Sequence, residues 1–138
     1  MSQLNRIGVA IDSELLNKFD TLIAGRGYTN RSEAFRDLIR DELVHQAWEQ
    51  PERQVVGTVT LVYDHHVRQL SERLTDLQHD HHHNVLSTLH VHLDHDNCLE
   101  VLVVKGKAKQ VKTLAEALIA TKGVKHGRLT LTTSGADL

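Results

Sequence analysis

An unpartnered strand near the start of the chain constrains the fold more than any other feature. Residues 6–11 (RIGVAI) alternate between apolar and other positions, as a half-buried strand does. Two amphipathic helices follow, the first begun by Asp12 or Ser13 and the second by Asn30. One strand with two helices buries too little apolar surface to be stable alone. Residues 1–50 are therefore predicted to form a ribbon–helix–helix domain, in which the strands of two chains pair antiparallel across a two-fold axis.

A two-stranded ribbon of this kind can enter the major groove of double-stranded DNA. Its outward positions are Arg6, Gly8 and Ala10. Arg6 can read a guanine edge with two hydrogen bonds, whereas Gly8 and Ala10 offer no side-chain donor. The helix start at Asn30 and Arg31 can receive a phosphate. Because the net charge is −2, any contact with DNA depends on the local placement of a few arginines.

The sequence beyond the only proline predicts a second domain over residues 54–138. The predicted elements are a strand at 55–63, a helix at 67–77, strands at 85–93 and 98–105, a helix at 111–120 and a strand at 124–132. The order βαββαβ is that of a ferredoxin-like unit with both helices on one face of its sheet. The predicted fold class is α+β.

The segment His90-Val91-His92, followed shortly by Cys98, carries the clearest chemical signal. Alternate residues of a strand point to one side, so His90 and His92 face together. A three-residue hairpin loop, with Asn97 in the left-handed conformation, would pair His92 with Glu100 and bring Cys98 to the same face. Two imidazoles and a thiolate are ligands of borderline softness that suit zinc, copper or nickel.

A fourth ligand must come from outside this hairpin. Nine of the 11 histidines lie within residues 65–95, and His79 is expected at the end of the preceding helix, in this chain or a neighbouring one. The spacing does not choose between a tetrahedral zinc site and a planar site for nickel or copper.

Each of these residues also has a simpler interpretation. A His-x-His pair is common on exposed strands, and a single cysteine is often a small buried apolar residue. We interpret His65 and His66 as the start of a helix, and the run 81–83 as a solvated surface. Glu100 either accepts a hydrogen bond from a ligand imidazole, which fixes its tautomer, or faces solvent.

The sequence also excludes several classes of protein. No apolar run approaches the roughly 18 residues that span a bilayer, and no signal peptide precedes residue 12, so we expect a cytoplasmic protein without a membrane partner. We expect no enzyme, because four protein ligands would leave a metal ion no open position for catalysis. An antitoxin of the ribbon–helix–helix type is disfavoured, since the second half of the chain is patterned for folding.

Several segments together resemble the nickel-responsive regulator (NikR) family. They are GYTNRSEAFRDLIRDEL, TVTLVYDHH, LQH, STLHVHLDHDNCLEVLVVKG and KGVKHGRL. The resemblance implies a homotetramer, a dimer of dimers whose ACT-type core is flanked by two ribbon–helix–helix dimers. It implies one Ni(II) per subunit, held in a square plane by His90, His92 and Cys98 together with His79 of the partner subunit. The implied function is nickel-dependent binding of operator DNA and repression of nickel uptake.

The resemblance assigns further roles and shows one departure. It implies that Gln78, Tyr63 and Glu100 order the nickel site. It also implies a secondary cation site at Glu33 and Asp37, although two carboxylates four residues apart commonly lie on a solvated helix face. The departure is in the ribbon, where family members carry Ser or Thr at the two alternate positions after the arginine. The alternative function is therefore a protein that binds nickel or copper and has lost sequence-specific DNA binding.

Overall fold

The structure is a computed structural model that describes residues 2–138. Contacts divide the chain into two units, one ending at Arg40 and the other spanning Asp41–Leu138. The elements are α1 (Ser13–Gly25), α2 (Arg31–Glu49), β1 (Gln54–Asp64), α3 (Leu70–Asp80), β2 (Val85–His92), β3 (Asn97–Lys107), α4 (Ala108–Ile119) and β4 (Val124–Thr132). This order confirms two helices followed by a βαββαβ unit.

The helix starts of the first unit are those expected from the sequence. The Asp12 carboxylate accepts a hydrogen bond from the backbone N–H of Leu15 at 2.9 Å, which caps α1. The Asn30 side chain accepts one from the N–H of Glu33 at 2.9 Å, which caps α2 in the same way. The two helices pack through stacked rings of Phe19 and Phe35, whose centroids are 5.0 Å apart.

The predicted strand at 6–11 is not formed in the single chain. Residues 2–12 are assigned to no helix or strand, and Ile7 and Val9 are 82% and 58% exposed. A strand requires a neighbour for its backbone hydrogen bonds, and the partner expected from the sequence is the same segment of a second chain. The strand was expected only where it pairs with a second chain, so the single chain does not test it, and the two-chain ribbon stays a prediction.

The second unit is built on one antiparallel sheet with strand order β2-β3-β1-β4. Burial alternates along both central strands, so one face packs against α3 and α4. This face carries Val59, Leu61 and Tyr63 of β1, and Leu61 lies opposite Glu100 and Tyr63 opposite Cys98 in the neighbouring strand. The topology is that of the ferredoxin-like unit predicted from the element order.

The last turns of α2 belong to this second core. Trp48 is 1% exposed, and its indole N–H donates to the backbone oxygen of Thr132 at 3.0 Å. The ring lies over Gly57, where an added Cβ would come within 3.0 Å of it and 2.7 Å of the Thr130 backbone oxygen. Glycine is therefore required where the indole and two strands approach one another.

The register of the β2–β3 hairpin differs from the prediction. His90 pairs with Glu100 and His92 with Cys98, so the pairing of His92 with Glu100 was wrong by two residues. Even-numbered residues of both strands nevertheless share one face, as expected. Asn97 also does not adopt a left-handed conformation, since Gln69 is the one non-glycine residue of the described chain with positive φ.

The physical reason for this register lies in the loop at 93–96. The Asp94 carboxylate accepts hydrogen bonds from the backbone N–H groups of Asp96 at 2.9 Å and Asn97 at 2.8 Å. It also accepts from the Asn97 side chain at 3.0 Å. Aspartate thus closes the turn with its side chain, and no left-handed residue is needed.

Candidate metal centre

Three strands bring two imidazoles and the thiol together at one end of the sheet. His92 lies opposite Cys98 in the β2–β3 pair, and His65 follows β1 two residues after Tyr63, the other neighbour of Cys98. The Cys98 Sγ is 3.4 Å from Nδ1 of His92 and 3.5 Å from Nδ1 of His65. The three ligand atoms all lie within 4.8 Å of one another.

The chemistry of this group fits a transition metal. Cys98 is 4% exposed, His65 is half-buried and His92 is exposed, so the thiol lies beneath two more accessible rings. Nitrogen and sulfur donors select nickel, copper or zinc, whereas magnesium and calcium need oxygen ligands. The predicted meeting of His92 and Cys98 is therefore present in the folded chain.

His90 lies on the same face but is directed to a different pair of groups. Its Nε2 is 2.5 Å from the Tyr63 hydroxyl oxygen and 3.0 Å from Oε2 of Glu100. Among residues 2–138, His90 belongs to no group of three or more His, Cys, Asp or Glu residues whose ligand atoms all lie within 4.8 Å of one another. In the single chain, His65 occupies the position beside Cys98 that was predicted for His90.

The buried carboxylate of Glu100 organises this part of the site. Glu100 is 2% exposed. Its Oε2 accepts from the Tyr63 hydroxyl at 2.9 Å, and its Oε1 accepts from the Gln78 side-chain amide at 2.8 Å. Gln78 in turn accepts from the Thr88 hydroxyl at 3.0 Å. Of the two interpretations of Glu100, the structure therefore supports the buried acceptor.

Proton counting assigns the tautomer of His90. Burial, reinforced by the charge and the hydrogen bond of Glu100, raises the pKa of Tyr63 well above its usual value of 10. The phenol therefore keeps its single proton, which it donates to Glu100. The short contact with His90 then requires the imidazole Nε2–H to donate, and in the neutral form of the ring this leaves Nδ1 as the lone-pair atom.

The remaining residues predicted at metal sites lie apart from the three-residue group. His79 is exposed in the last turn of α3, next to Gln78. Glu33 and Asp37 are exposed on α2. The Asp37 carboxylate accepts from the Tyr28 hydroxyl at 2.6 Å.

The residues predicted to contact DNA are exposed, and two of them have partners within the chain. Arg6, Gly8 and Ala10 are exposed. Asn30 uses its side chain to cap α2. The Arg31 guanidinium makes two hydrogen bonds to the Asp20 carboxylate, at 2.9 and 2.8 Å, which lower the pKa of Asp20.

The interpretation of His65 and His66 as a helix start was wrong, because α3 begins only at Leu70. The sequence nevertheless contained a signal. Odd-numbered residues of β1 face the core, and continuing that alternation past Tyr63 places His65 on the face of Cys98. The same alternation applies to β2, where Thr88, His90 and His92 all lie on one face. It would have placed Thr88, whose hydroxyl donates to Gln78, on the face of the candidate ligands.

These features define a class of protein: a ferredoxin-like domain with a cluster of two imidazoles and a thiol that fits a transition metal, joined to a unit of two capped helices. Comparison with known proteins identifies the family. Residues 56–132 match the model of the NikR C-terminal nickel-binding domain, and residues 5–46 match the ribbon–helix–helix proteins of the CopG family. A relative from Solibacter usitatus named as a nickel-responsive regulator is 75% identical over 138 residues, covering 100% of this chain and 99% of that protein.

Similarly named relatives from Geobacter sulfurreducens and Nitratidesulfovibrio vulgaris are 61% and 60% identical, each over 100% of this chain and 99% of the relative. The chain belongs to the nickel-responsive regulator family. This confirms the resemblance, the α+β organisation with an N-terminal ribbon–helix–helix domain, and the prediction that the chain is a regulator rather than an enzyme.

One solved structure supports the fold alone. An uncharacterized protein from Thermotoga maritima superimposes with a TM-score of 0.53 at 15% sequence identity, covering 59% of this chain and 100% of that one. Separately, no helix within residues 2–138 is both long enough and apolar enough to cross a membrane.

Proposed function

We propose that this chain is a repressor that binds double-stranded operator DNA when Ni(II) is held between its subunits, and so represses nickel uptake in the cytoplasm. The observation that carries the proposal is the meeting of His92 and Cys98 beside the buried carboxylate of Glu100. This centre is in a chain that also has a ribbon–helix–helix domain. We assign that domain to residues 1–50 and the metal-binding, ACT-type domain to residues 54–138.

The proposed ligands of one Ni(II) per subunit are His90, His92 and Cys98, with His79 of the partner subunit. The tautomer of His90 supports its inclusion, because Nδ1 carries the lone pair while Nε2–H is held by Tyr63 and Glu100. Such outer hydrogen bonds commonly fix the orientation of a ligand imidazole. When bound, the metal would supply the free energy that joins two subunits at this centre.

His65 is the competing ligand in the single chain, so paired variants discriminate between the two sets. His90→Gln should abolish tight nickel binding, and His65→Gln should retain most of it. Both substitutions remove one imidazole from the same end of the sheet. Nickel affinity measured by competition with a chelator decides the question, and the opposite ranking would assign the site to His65, His92 and Cys98.

An open apolar sheet face supports the homotetramer. Leu89 and Val91 of β2 point away from the helices and are 59% and 38% exposed, and Leu93 beyond the strand is 54% exposed. Contiguous apolar surface of this kind marks a protein interface. A second contact is expected at residues 6–11, whose backbone needs a strand from another chain. Two different self-contacts generate a dimer of dimers.

Nickel binding and DNA binding would be coupled because the ligands of one nickel ion come from two subunits. His79 of the partner subunit can meet His90, His92 and Cys98 only in one arrangement of the regulatory cores, so nickel binding favours that arrangement. A coupling free energy of about 1–3 kcal/mol would raise DNA affinity about 5- to 150-fold.

The ribbon is proposed to read DNA through Arg6. A Cβ added at Gly8 meets nothing within 4 Å, so this position accepts a side chain without strain in the chain itself. Arg6→Ala should abolish operator binding, whereas Gly8→Ser should retain it. For the helix start at Asn30 and Arg31, we propose a phosphate contact through backbone N–H groups, because both side chains have partners within the chain.

We further propose the secondary cation site at Glu33 and Asp37, two exposed carboxylates one helical turn apart. The Tyr28 hydroxyl already directs the Asp37 carboxylate. The double variant Glu33→Gln, Asp37→Asn should leave nickel affinity unchanged and reduce the enhancement of DNA binding by added potassium or calcium.

Capture of genomic DNA fragments by the full chain tests the main proposal. Fragments should be retained with nickel, released by a chelator and lost in Cys98→Ala. If nickel binds stoichiometrically but no fragment is retained, the second candidate function holds. This candidate is a nickel- or copper-binding protein without sequence-specific DNA binding, and Gly8 and Ala10 on the ribbon favour it.

A further inference from the structure

We propose that His66, His95 and Asp96 form a second site for a divalent transition-metal ion, separate from the Cys98 centre. One ligand atom from each of the three residues lies within 4.8 Å of the others. The His66 Nε2 is 3.6 Å from Oδ1 of Asp96, and the rings of His66 and His95 are 5.3 Å apart. The inference rests on these residues alone and does not depend on the proposed DNA function.

The donor set determines which ions the site takes. Two imidazoles and one carboxylate provide nitrogen and oxygen ligands without a thiolate, which suits nickel, copper or zinc and disfavours magnesium and calcium. All three residues are exposed, so water can complete the coordination. An exposed site with three ligands is expected to bind more weakly than one that includes a buried thiolate.

Hydrogen bonds hold the two segments of this site together before any ion arrives. The backbone N–H of His65 donates to the backbone oxygen of Asp96 at 3.1 Å, which ties the end of β1 to the hairpin loop. The ring of His66 lies against this loop, with its Nε2 3.2 Å from the backbone oxygen of His95, and a metal ion bound at Nε2 would replace that contact. The loop itself is fixed by the Asp94 side chain. Little conformational entropy therefore remains to be lost on metal binding.

The two sites share no ligand. His65 is directed to Cys98, whereas its neighbour His66 is directed to the loop, although their ring centroids are only 4.0 Å apart. His65 and His66 also form a group with Asp64 whose ligand atoms lie within 4.8 Å of one another, so independent filling of the two sites is an expected outcome that the titration below measures. The thiolate gives the Cys98 centre a nickel charge-transfer absorption, which a site of imidazoles and carboxylate lacks.

Nickel titration of the full chain and three variants tests the proposal. The variants are His66→Gln with His95→Gln, Cys98→Ala, and the matched control His82→Gln with His83→Gln. The control removes another exposed imidazole pair, whose rings are 3.8 Å apart but which is part of no clustered ligand group among the described residues. Equilibrium dialysis gives nickel bound per chain, and absorption reports the thiolate centre.

The His66 and His95 variant should bind one nickel fewer per chain than the parent, with the charge-transfer absorption retained. Cys98→Ala should lose the charge-transfer absorption and keep the one nickel ion that binds more weakly at His66, His95 and Asp96. The control variant should match the parent in both measurements. The proposal is overturned if the first variant binds as much nickel as the parent, or if the control loses the same equivalent. It is also overturned if the first variant loses the absorption, since these residues would then belong to the Cys98 centre. If Cys98 does not bind nickel at all, the charge-transfer absorption will be missing in the parent, and this result is distinct from a failure of the second site.

Discussion

Removing the hydroxyl of Tyr63 tests how the buried carboxylate supports the metal centre. Tyr63 is 1% exposed, so Tyr63→Phe keeps the ring packed and deletes only the oxygen. Glu100 loses the donor at 2.9 Å, and the Nε2–H of His90 loses its closest acceptor. A hydrogen bond to a charged group contributes about 1.5–3 kcal/mol.

The same deletion sets the expected loss of nickel affinity. Because each factor of ten in affinity corresponds to about 1.4 kcal/mol, the lost interaction predicts nickel binding weaker by about 10- to 100-fold. This range agrees with the usual effect of removing an outer partner of a metal-ligating imidazole. Competition with a chelator, followed through the thiolate absorption, measures the change.

Tyr28→Phe is the matched control, since the chain contains two tyrosines and the Tyr28 hydroxyl also donates to a carboxylate, that of Asp37. Nickel affinity of the control should equal that of the parent. An affinity of Tyr63→Phe within twofold of the parent would refute the reasoning, because it would show that the orientation of His90 does not limit binding.

Three further predictions concern stability, acid response and assembly. Gly57→Ala should destabilise the chain by about 1–3 kcal/mol in urea unfolding, because the new methyl meets a backbone oxygen at 2.7 Å and an indole ring at 3.0 Å, whereas Gly8→Ala should leave stability unchanged. Hydrogen bonds from Asn97 lower the pKa of Asp94 to about 2. The ionised carboxylate therefore stabilises the loop fully above its ordinary pKa of 3.8, and this stabilisation is lost as the pH falls through about 2. NMR titration of the Asp94 carboxyl should give a midpoint near 2, and a midpoint near 3.8 would contradict the prediction. Leu89→Glu should reduce the oligomer to a smaller species in analytical ultracentrifugation, and an unchanged mass would exclude the open sheet face as a contact.

The fold of the second unit was predictable because its signals are local and repeated. Strand alternation and helical periodicity gave all six elements and their order, which confines a chain of this length to few sheet topologies. The strand predicted at residues 6–11 is absent from the single chain for the converse reason. Its hydrogen-bond partner is expected in another molecule, so one chain alone cannot form the pairing.

The sequence could place the candidate metal ligands on one face of the sheet, but it could not predict which of their atoms contact one another. Parity along the strands placed His92, His90 and Cys98 together, but the register depended on how Asp94 closes the loop, which alternation does not encode. The exchange of His65 for His90 beside the thiol has the same origin. It depends on where β1 ends and on the attraction of His90 to a buried carboxylate, and both are tertiary effects.

The single tryptophan gives this molecule a built-in optical signal. Trp48, in the last turn of α2, is buried against the sheet, and its indole N–H donates to the backbone oxygen of Thr132, the last residue of β4. Indole emission moves to longer wavelength when the ring meets water, and the chain contains no second tryptophan to obscure the change. The emission wavelength of the unlabelled protein should therefore show, as nickel or DNA is added, whether the end of α2 remains packed against the sheet.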